Sequence, residues 1–81
     1  MELYEYMLLS ENEQWNDLWQ NGTFLTHRIE PFNKFSLYAL YNFFVEVELD
    51  PGTDKINGKK NFKTGKTLDK YVGDIDISGI N

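Results

Sequence analysis

Residues 43–50 alternate between apolar and mainly acidic side chains, and this alternation constrains the fold more than any other feature of the sequence. One set of alternate positions is apolar, namely Phe43, Val45, Val47 and Leu49. The intervening positions are Phe44, Glu46, Glu48 and Asp50. Because successive side chains of a β-strand point to opposite faces of a sheet, the pattern predicts a half-buried strand with an acidic outer face.

Further runs of apolar residues, separated by residues typical of turns, predict that this strand belongs to a four-stranded antiparallel meander. The expected strands cover residues 23–30, 34–40, 42–50 and 55–62. A competing architecture is the same sheet curled into a partly open barrel, with tighter bulges at Gly58 and less helix.

The register between the second and third strands follows from the faces that their apolar residues must share. A three-residue loop, Leu40-Tyr41-Asn42, would pair Ala39 with Phe43 and bring the apolar residues of both strands to one face. A two-residue turn would instead set the apolar residues of the second strand beside the glutamates. We therefore expect the longer loop, with Asn42 in the left-handed conformation.

The same register, carried to the neighbouring strands, gives opposite charges across the outer face. The expected charged neighbours are Glu30 and Glu48 beside Lys34, Glu46 opposite Lys59, and Asp50 opposite Lys55. The expected apolar-face pairs are Ile29–Phe35, His27–Leu37, Leu25–Ala39, Leu49–Ile56 and Phe43–Phe62. Lys60 then falls on the core face, unless a bulge at Gly58 turns it outward.

Local signals in the sequence predict helices before the first strand and after the last one. Ser10 and Glu13 form a capping-box pattern, and an apolar stripe of Trp15, Leu18 and Trp19 follows it, so residues 11–20 should form a helix that ends at Gly22 with a left-handed exit. Residues 2–8 favour a shorter helix, although their alternation also allows a strand. Residues 67–72 predict a short C-terminal helix. The predicted class is therefore α+β.

Composition places the chain among small globular domains. Its 81 residues are 41% hydrophobic and contain thirteen aromatic side chains (6 Phe, 5 Tyr and 2 Trp), enough for one core, so we expect a single domain over residues 1–81. The absence of cysteine excludes disulfides and Cys-ligated zinc. With no long apolar stretch and no basic segment at its start, the chain is expected to be cytoplasmic and not to bind membranes.

Charge is distributed unevenly along the chain, whose net charge is −5. Residues 1–50 contain nine acids and two bases, which gives −7, and residues 51–81 contain four acids and six lysines, which gives +2. The lysines between Lys55 and Lys66 could bind phosphate, which makes nucleic-acid binding the alternative function. The acidic chain as a whole repels nucleic acid, so we expect the lysines to pair with acids of the same fold.

No residue pattern in the sequence is typical of catalysis or of a metal site. His27 is the only histidine, and it alternates with apolar neighbours as a histidine in the core or at its edge would. Glu46 and Glu48 share a strand face, but they are expected to be solvated and paired with lysines, not raised in pKa as general acids are. We therefore expect no enzyme activity, no cofactor and no metal.

A cluster of side chains on the predicted outer face indicates a binding surface instead. Phe24, Tyr38 and Phe44 should lie together there, beside the charged Glu46 and Glu48. Exposed apolar clusters with a charged rim are typical of protein interfaces, so the sequence favours a non-catalytic protein-binding domain, whose partner could be a second copy of itself. The alternative is that the C-terminal segment folds over these aromatic residues.

Several segments of the chain together resemble a family of short uncharacterised bacterial proteins of the Bacteroidetes type. The resemblance is carried by Leu3…Tyr6…Leu9-Ser10, Leu18-Trp19-x-x-Gly22, the strand Phe43-Phe44-Val45-Glu46-Val47 and the ending Leu68-x-x-Tyr71…Ile75-Asp76-Ile77. It implies no activity, cofactor or catalytic residue. Some small acidic proteins of this kind lie beside secreted toxins as immunity factors, which is the association that the resemblance suggests.

Overall fold

The computed structural model describes residues 1–63, which contain two helices followed by a four-stranded antiparallel sheet in the order β1-β2-β3-β4. The elements are α1 (Leu3–Met7), α2 (Glu11–Asn21), β1 (Thr23–Ile29), β2 (Lys34–Leu40), β3 (Phe43–Leu49) and β4 (Ile56–Phe62). The predicted α+β class, the N-terminal helices and the meander are confirmed. The predicted helix over residues 67–72 lies outside the described residues.

Local hydrogen bonds explain where both helices begin. The Ser10 hydroxyl accepts from the Glu13 backbone N–H at 3.2 Å, and the Glu13 carboxylate accepts from the Ser10 N–H at 3.2 Å, as the capping box predicts. In α1, the Glu5 carboxylate accepts from the Glu2 N–H at 2.9 Å, and residues 3–7 are helical, not extended. Each start therefore satisfies backbone donors that a helix leaves free.

Gly22 ends α2 for a different reason from the one expected. Its backbone is extended, with φ −74° and ψ 148°, so the predicted left-handed exit is wrong. A Cβ atom at this position would lie 2.5 Å from the Leu18 carbonyl oxygen and 2.9 Å from Leu18 Cδ1. Glycine is therefore required by close approach of the chain, not by a positive φ.

The register between β2 and β3 differs by one residue from the prediction. The connection is a two-residue turn that pairs Leu40 with Phe43, and the left-handed residue is Tyr41, with φ 55°, not Asn42. Consequently Leu37 faces Glu46 across the two strands. The prediction failed because it assumed that apolar residues occupy only one face of the sheet.

Both faces of the sheet bury apolar side chains. The helix-side face is the one that packs against the helices, through a cluster of Tyr6, Leu18, Leu40, Phe43, Val45 and Val47. Since strand neighbours alternate in facing, Leu37, Phe44 and Phe62 form a second cluster on the opposite face. The acidic positions of β3 thus share their face with apolar side chains, and Glu46 lies there 3.7 Å from Arg28 Nη2.

The outer strands continue the observed register, each with a bulge. In β1 the irregularity lies between Phe24 and Thr26, and the expected β1–β2 pairs are replaced by Thr26–Leu37, His27–Ser36, Arg28–Phe35 and Ile29–Lys34. Between β3 and β4, the Leu49–Ile56 pair is confirmed, whereas Phe62 lies opposite Phe44 and not Phe43.

A bulge at Asn57 decides where the two adjacent lysines of β4 lie. Glu48 pairs with Gly58 and Leu49 with Ile56, so Asn57 is the extra residue, one position before the predicted bulge. Beyond it, Lys60 lies opposite Glu46 and Lys59 lies opposite Val47. The bulge therefore turns Lys60 away from the helix-side face, and Lys59 takes that position instead.

Two other expectations about side chains are wrong. Trp19 was expected in the core, but it is half-exposed, and Leu18 is the buried apolar residue of α2. Lys34 was expected beside glutamates of the neighbouring strands, but its Nζ lies 2.8 Å from Asp54 Oδ1 in the β3–β4 connection. Within residues 1–63, no helix has the length and apolar character needed to cross a membrane.

Candidate protein-binding surface

The five residues predicted to form a binding patch lie on two different faces of the sheet. Tyr38 pairs with Val45 and Phe24 pairs with Tyr38, so both aromatic side chains lie on the helix-side face. Phe44, Glu46 and Glu48 lie on the opposite face. The predicted contact of Tyr38 with Phe44 is therefore wrong, because a slip of one residue moves every side chain of one strand to the other face.

Two members of the predicted patch are also buried. Phe44 is 3% exposed and packs on Phe62, with ring centroids 5.6 Å apart. Glu46 is 7% exposed and is not the solvated carboxylate that the alternation suggested. Glu48 is half-buried and accepts a hydrogen bond from Asn33 Nδ2 at 2.7 Å. These three residues do not form an exposed surface.

The structure instead assembles a continuous row of rings on the helix-side face, from α2 to the edge strand β1. We call it the aromatic row, and its members in order are Trp15, Trp19, Tyr38, Phe24 and His27. Successive ring centroids are 5.5, 5.7, 5.7 and 6.1 Å apart. The two contacts of Tyr38 are T-shaped, with interplanar angles of 76° and 72°. Such edge-to-face contacts fix the rings relative to one another.

Each ring of the aromatic row is positioned by regular secondary structure. Trp15 and Trp19 are one helical turn apart, which places their indoles on the same side of α2 in a stacked pair. Burial of Leu18 docks this helix on the sheet. Tyr38 and Phe24 are directly paired across β2 and β1. The row is therefore held by a helix and two strands and not by a loop.

Much of the aromatic row is accessible to a partner. Trp19 is 49% exposed and Phe24 is 51% exposed, and Ile29 extends the apolar surface along β1 with 67% exposure. His27, predicted to lie in the core or at its edge, is exposed on the edge strand of the sheet. Large apolar side chains that are exposed singly are ordinary, but here they are contiguous with one another, which is typical of an interaction surface.

A cleft of about 390 Å³ continues the aromatic row on the other side of α2. It lies between that helix and the bulged start of β4 and is lined by Glu11, Trp15, Trp19, Ile56, Asn57 and Gly58. The Trp15 indole N–H donates to Glu11 Oε1 at 3.2 Å, which orients the ring at the cleft wall. The cleft combines two aromatic faces with one carboxylate. It is large enough to hold one side chain of a bound peptide or a small molecule.

Lys59 lies beneath the helices and is not part of an exposed basic stripe. Its Nζ is 5.4 Å from the Tyr6 ring centroid and 5.5 Å from that of Trp15, and it donates to Gln14 Oε1. Burial lowers the pKa of Lys59, and the negative charge of Glu11 opposes that shift. Since Lys60 points to the opposite face, these two lysines cannot bind one phosphate backbone together.

No three His, Asp or Glu side chains of residues 1–63 lie close enough together to hold a metal ion.

Comparison of the chain with protein-family models, with curated proteins and with solved structures found no match. Sequence reasoning placed Phe24 near Tyr38 but missed Trp19, because the helical stripe alone does not show which of its members faces solvent.

Proposed function

We propose that this protein is a non-catalytic protein-binding domain whose interaction surface is the aromatic row. The observation that carries the proposal is the exposure of Trp19 and Phe24 on either side of Tyr38, in ring contact with it. Tryptophan and tyrosine are the residues most enriched among binding hot spots, since rigid rings bury a large area at low entropic cost. A row already fixed by ring contacts loses little further freedom on binding.

The charge of the chain favours a basic partner. The net charge is −5, and seven units of negative charge belong to residues 1–50, which contain the whole aromatic row. Such an excess accelerates encounter with a positively charged protein and disfavours contact with nucleic acid. This charge suits an immunity or inhibitor role, in which a small acidic protein binds a basic protein and blocks it.

The experiment compares capture of proteins by the wild type and by two variants of matched chemistry. Phe24→Ser removes an exposed ring of the aromatic row, and Tyr4→Ser removes a ring of α1 that is 69% exposed and lies outside the row. Each tagged protein is incubated with extract of the cells that express it, and bound proteins are quantified by mass spectrometry. Both variants are first checked for a wild-type melting temperature.

We expect a protein that the wild type and Tyr4→Ser retain equally and that Phe24→Ser retains at least about tenfold less, as hot-spot truncation predicts. Its capture should weaken with added salt if the acidic charge steers the encounter. Equal capture by all three proteins would show that the aromatic row is not the binding surface, and the proposal would then fail.

A further inference from the structure

The two edges of the sheet differ in how well they are protected from pairing with another strand. Edge strands are commonly blunted by charged side chains, above all lysines, by proline and by bulges. In β4, a bulge lies at Asn57 and is followed by Gly58 and two lysines. In β1 the bulge lies near the start, and residues 26–29 pair regularly with β2 and include no lysine or proline. Their one charged side chain, Arg28, is largely buried and contacts Glu30. β1 is therefore the edge that can accept a strand.

The hairpin between β1 and β2 shows which backbone groups of β1 are already bonded. The Glu30 N–H donates to the Asn33 carbonyl at 2.8 Å, which makes these two residues a hydrogen-bonded pair. Hydrogen-bonded and non-bonded pairs alternate along an antiparallel ladder. The backbone groups of Arg28 and Thr26 therefore point towards β2.

The backbone N–H and C=O groups of His27 and Ile29 consequently point away from β2, towards the edge of the sheet. Within residues 1–63, β1 pairs only with β2, so no described strand uses them. Both side chains are exposed on the helix-side face, beside Phe24 of the aromatic row. The outward backbone groups, of which the His27 carbonyl also accepts from the Thr26 hydroxyl at 3.4 Å, thus lie beside the apolar surface along one short segment.

We propose that β1 binds an extended segment of a partner protein by strand addition, with apolar side chains opposite His27 and Ile29 and a basic side chain opposite Glu30. This inference rests on the proposed function and names the form of its partner. Directly opposed residues of paired strands share a face, so side chains opposite His27 and Ile29 pack beside the aromatic row.

The basic residue is placed by the charge at the end of β1. Glu30 follows Ile29, and its side chain is 44% exposed although its carboxylate also contacts Arg28. A side chain of the added strand opposite Glu30 therefore meets an accessible carboxylate, and opposite charges on paired strands stabilise a sheet. The position opposite Arg28 takes an uncharged residue, because a cation there would face the guanidinium. A second copy of this chain fits less well, since each copy carries a net charge of −5.

The test uses a synthetic heptapeptide with apolar residues at alternate positions and a lysine at each end (Lys-Val-Thr-Phe-Thr-Val-Lys, with blocked ends) and the isotope-labelled full chain. Amide hydrogen exchange is measured with and without saturating peptide. We expect exchange at His27 and Ile29 to slow at least about tenfold, because their N–H groups become bonded. The control peptide has the same sequence, but the alternate backbone nitrogens whose N–H groups would face β1 are N-methylated. It lacks the donors along that edge, so it should not protect the His27 and Ile29 amides.

A pair of variants separates backbone pairing from side-chain contact. His27→Pro removes the outward N–H without removing a bond to β2, and proline is tolerated on edge strands. His27→Ala keeps the N–H and removes the imidazole. We expect His27→Pro to weaken peptide binding at least about tenfold relative to His27→Ala. If His27→Pro does not fold, the comparison of the two peptides decides alone.

Three results would overturn the inference. The first is the absence of protection at millimolar peptide, or equal binding of the N-methylated peptide. The second is protection of His27 in the free protein that grows with protein concentration, which would identify a second copy as the occupant. The third is protection of the His27 amide in the free protein that does not change with protein concentration, which would mean that residues 64–81 occupy the edge. If the peptide fails but Phe24-dependent capture persists, the aromatic row remains the binding surface and only strand addition is refuted.

Discussion

The Tyr6 hydroxyl joins the two helices, and its removal gives the most direct test of how the N-terminal segment is held. Tyr6 is fully buried, and its hydroxyl donates to the Gln14 backbone carbonyl at 2.8 Å. The substitution Tyr6→Phe deletes this bond but keeps the ring that packs 5.2 Å from Phe43. The Gln14 carbonyl lies within α2 and keeps its helical donor, so no acceptor is left unpaired.

The expected loss at pH 7 is that of one neutral hydrogen bond, about 1 kcal/mol. For a domain of this size, such a loss lowers the melting temperature by about 4–8 °C. Urea unfolding followed by tryptophan fluorescence measures the free energy directly. Tyr4→Phe is the matched control, since the Tyr4 side chain is exposed, and its free energy of unfolding at pH 7 should equal that of the wild type.

Alkaline pH should reverse part of this difference. Burial, aided by the negative charges of Asp17 and Glu11, raises the pKa of Tyr6 from 10.0 to about 12. The unfolded chain therefore loses this proton first, and the contribution of Tyr6 to stability is complete below pH 10 and is lost as the pH rises towards about 12. Tyr6→Phe lacks this titration, so the gap to the wild type should narrow over that range. A gap that stays constant or widens would refute the buried position of the hydroxyl.

Three further predictions concern stability. Leu18→Ala should cost about 2–5 kcal/mol and more than Trp19→Ala, because Leu18 is the buried residue, and chemical denaturation of both variants would show the order. Gly22→Ala should destabilise by more than about 1 kcal/mol since its Cβ would meet backbone atoms, whereas Gly58→Ala, with no atom within 4 Å of the new carbon, should be neutral in the same thermal scan. Two backbone N–H groups of the β3–β4 turn lower the pKa of Asp50, so its contribution to stability is present above the unfolded pKa of about 4 and is lost as the pH falls. Asp50→Asn should therefore lose less stability in acid than the wild type, and equal slopes would contradict the turn geometry.

Features determined by neighbouring residues were predictable from the sequence. The capping box at Ser10 and Glu13 has its expected hydrogen bonds, and the four strands appear where the alternation predicts them. These signals are local, because they depend on hydrogen bonds and side-chain facing within a few residues. The position of Trp19 was not predictable in this way, because its exposure depends on how Leu18 and Tyr6 dock the helices on the sheet.

The register failed because β2 is apolar on both faces. In β2, Phe35 and Leu37 lie on one face, while Tyr38 and Leu40 lie on the other. Pairing Phe43 with Ala39 or with Leu40 therefore places large apolar side chains of β2 on the same face as Phe43 in both cases. The choice was made by assuming that Glu46 must face water. It lies on the same face as Leu37 and is buried beside Arg28, so the assumption does not hold.

The expected charged pair of Glu46 and Lys59 could not test the register of β2 on β3, because it belongs to the β3–β4 ladder. Lys59 and Lys60 are adjacent, and the bulge at Asn57 places Lys60 and not Lys59 opposite Glu46. Lys34 does belong to β2, and its contact with Asp54 in place of the expected glutamates agrees with the slip of one residue between β2 and β3. The binding surface nevertheless depends on that single residue of slip, since the observed register moves Phe44 into a buried cluster and leaves Tyr38 in contact with two exposed rings. In a small sheet with two apolar faces, the register of the central pair of strands therefore decides which aromatic side chains reach the surface.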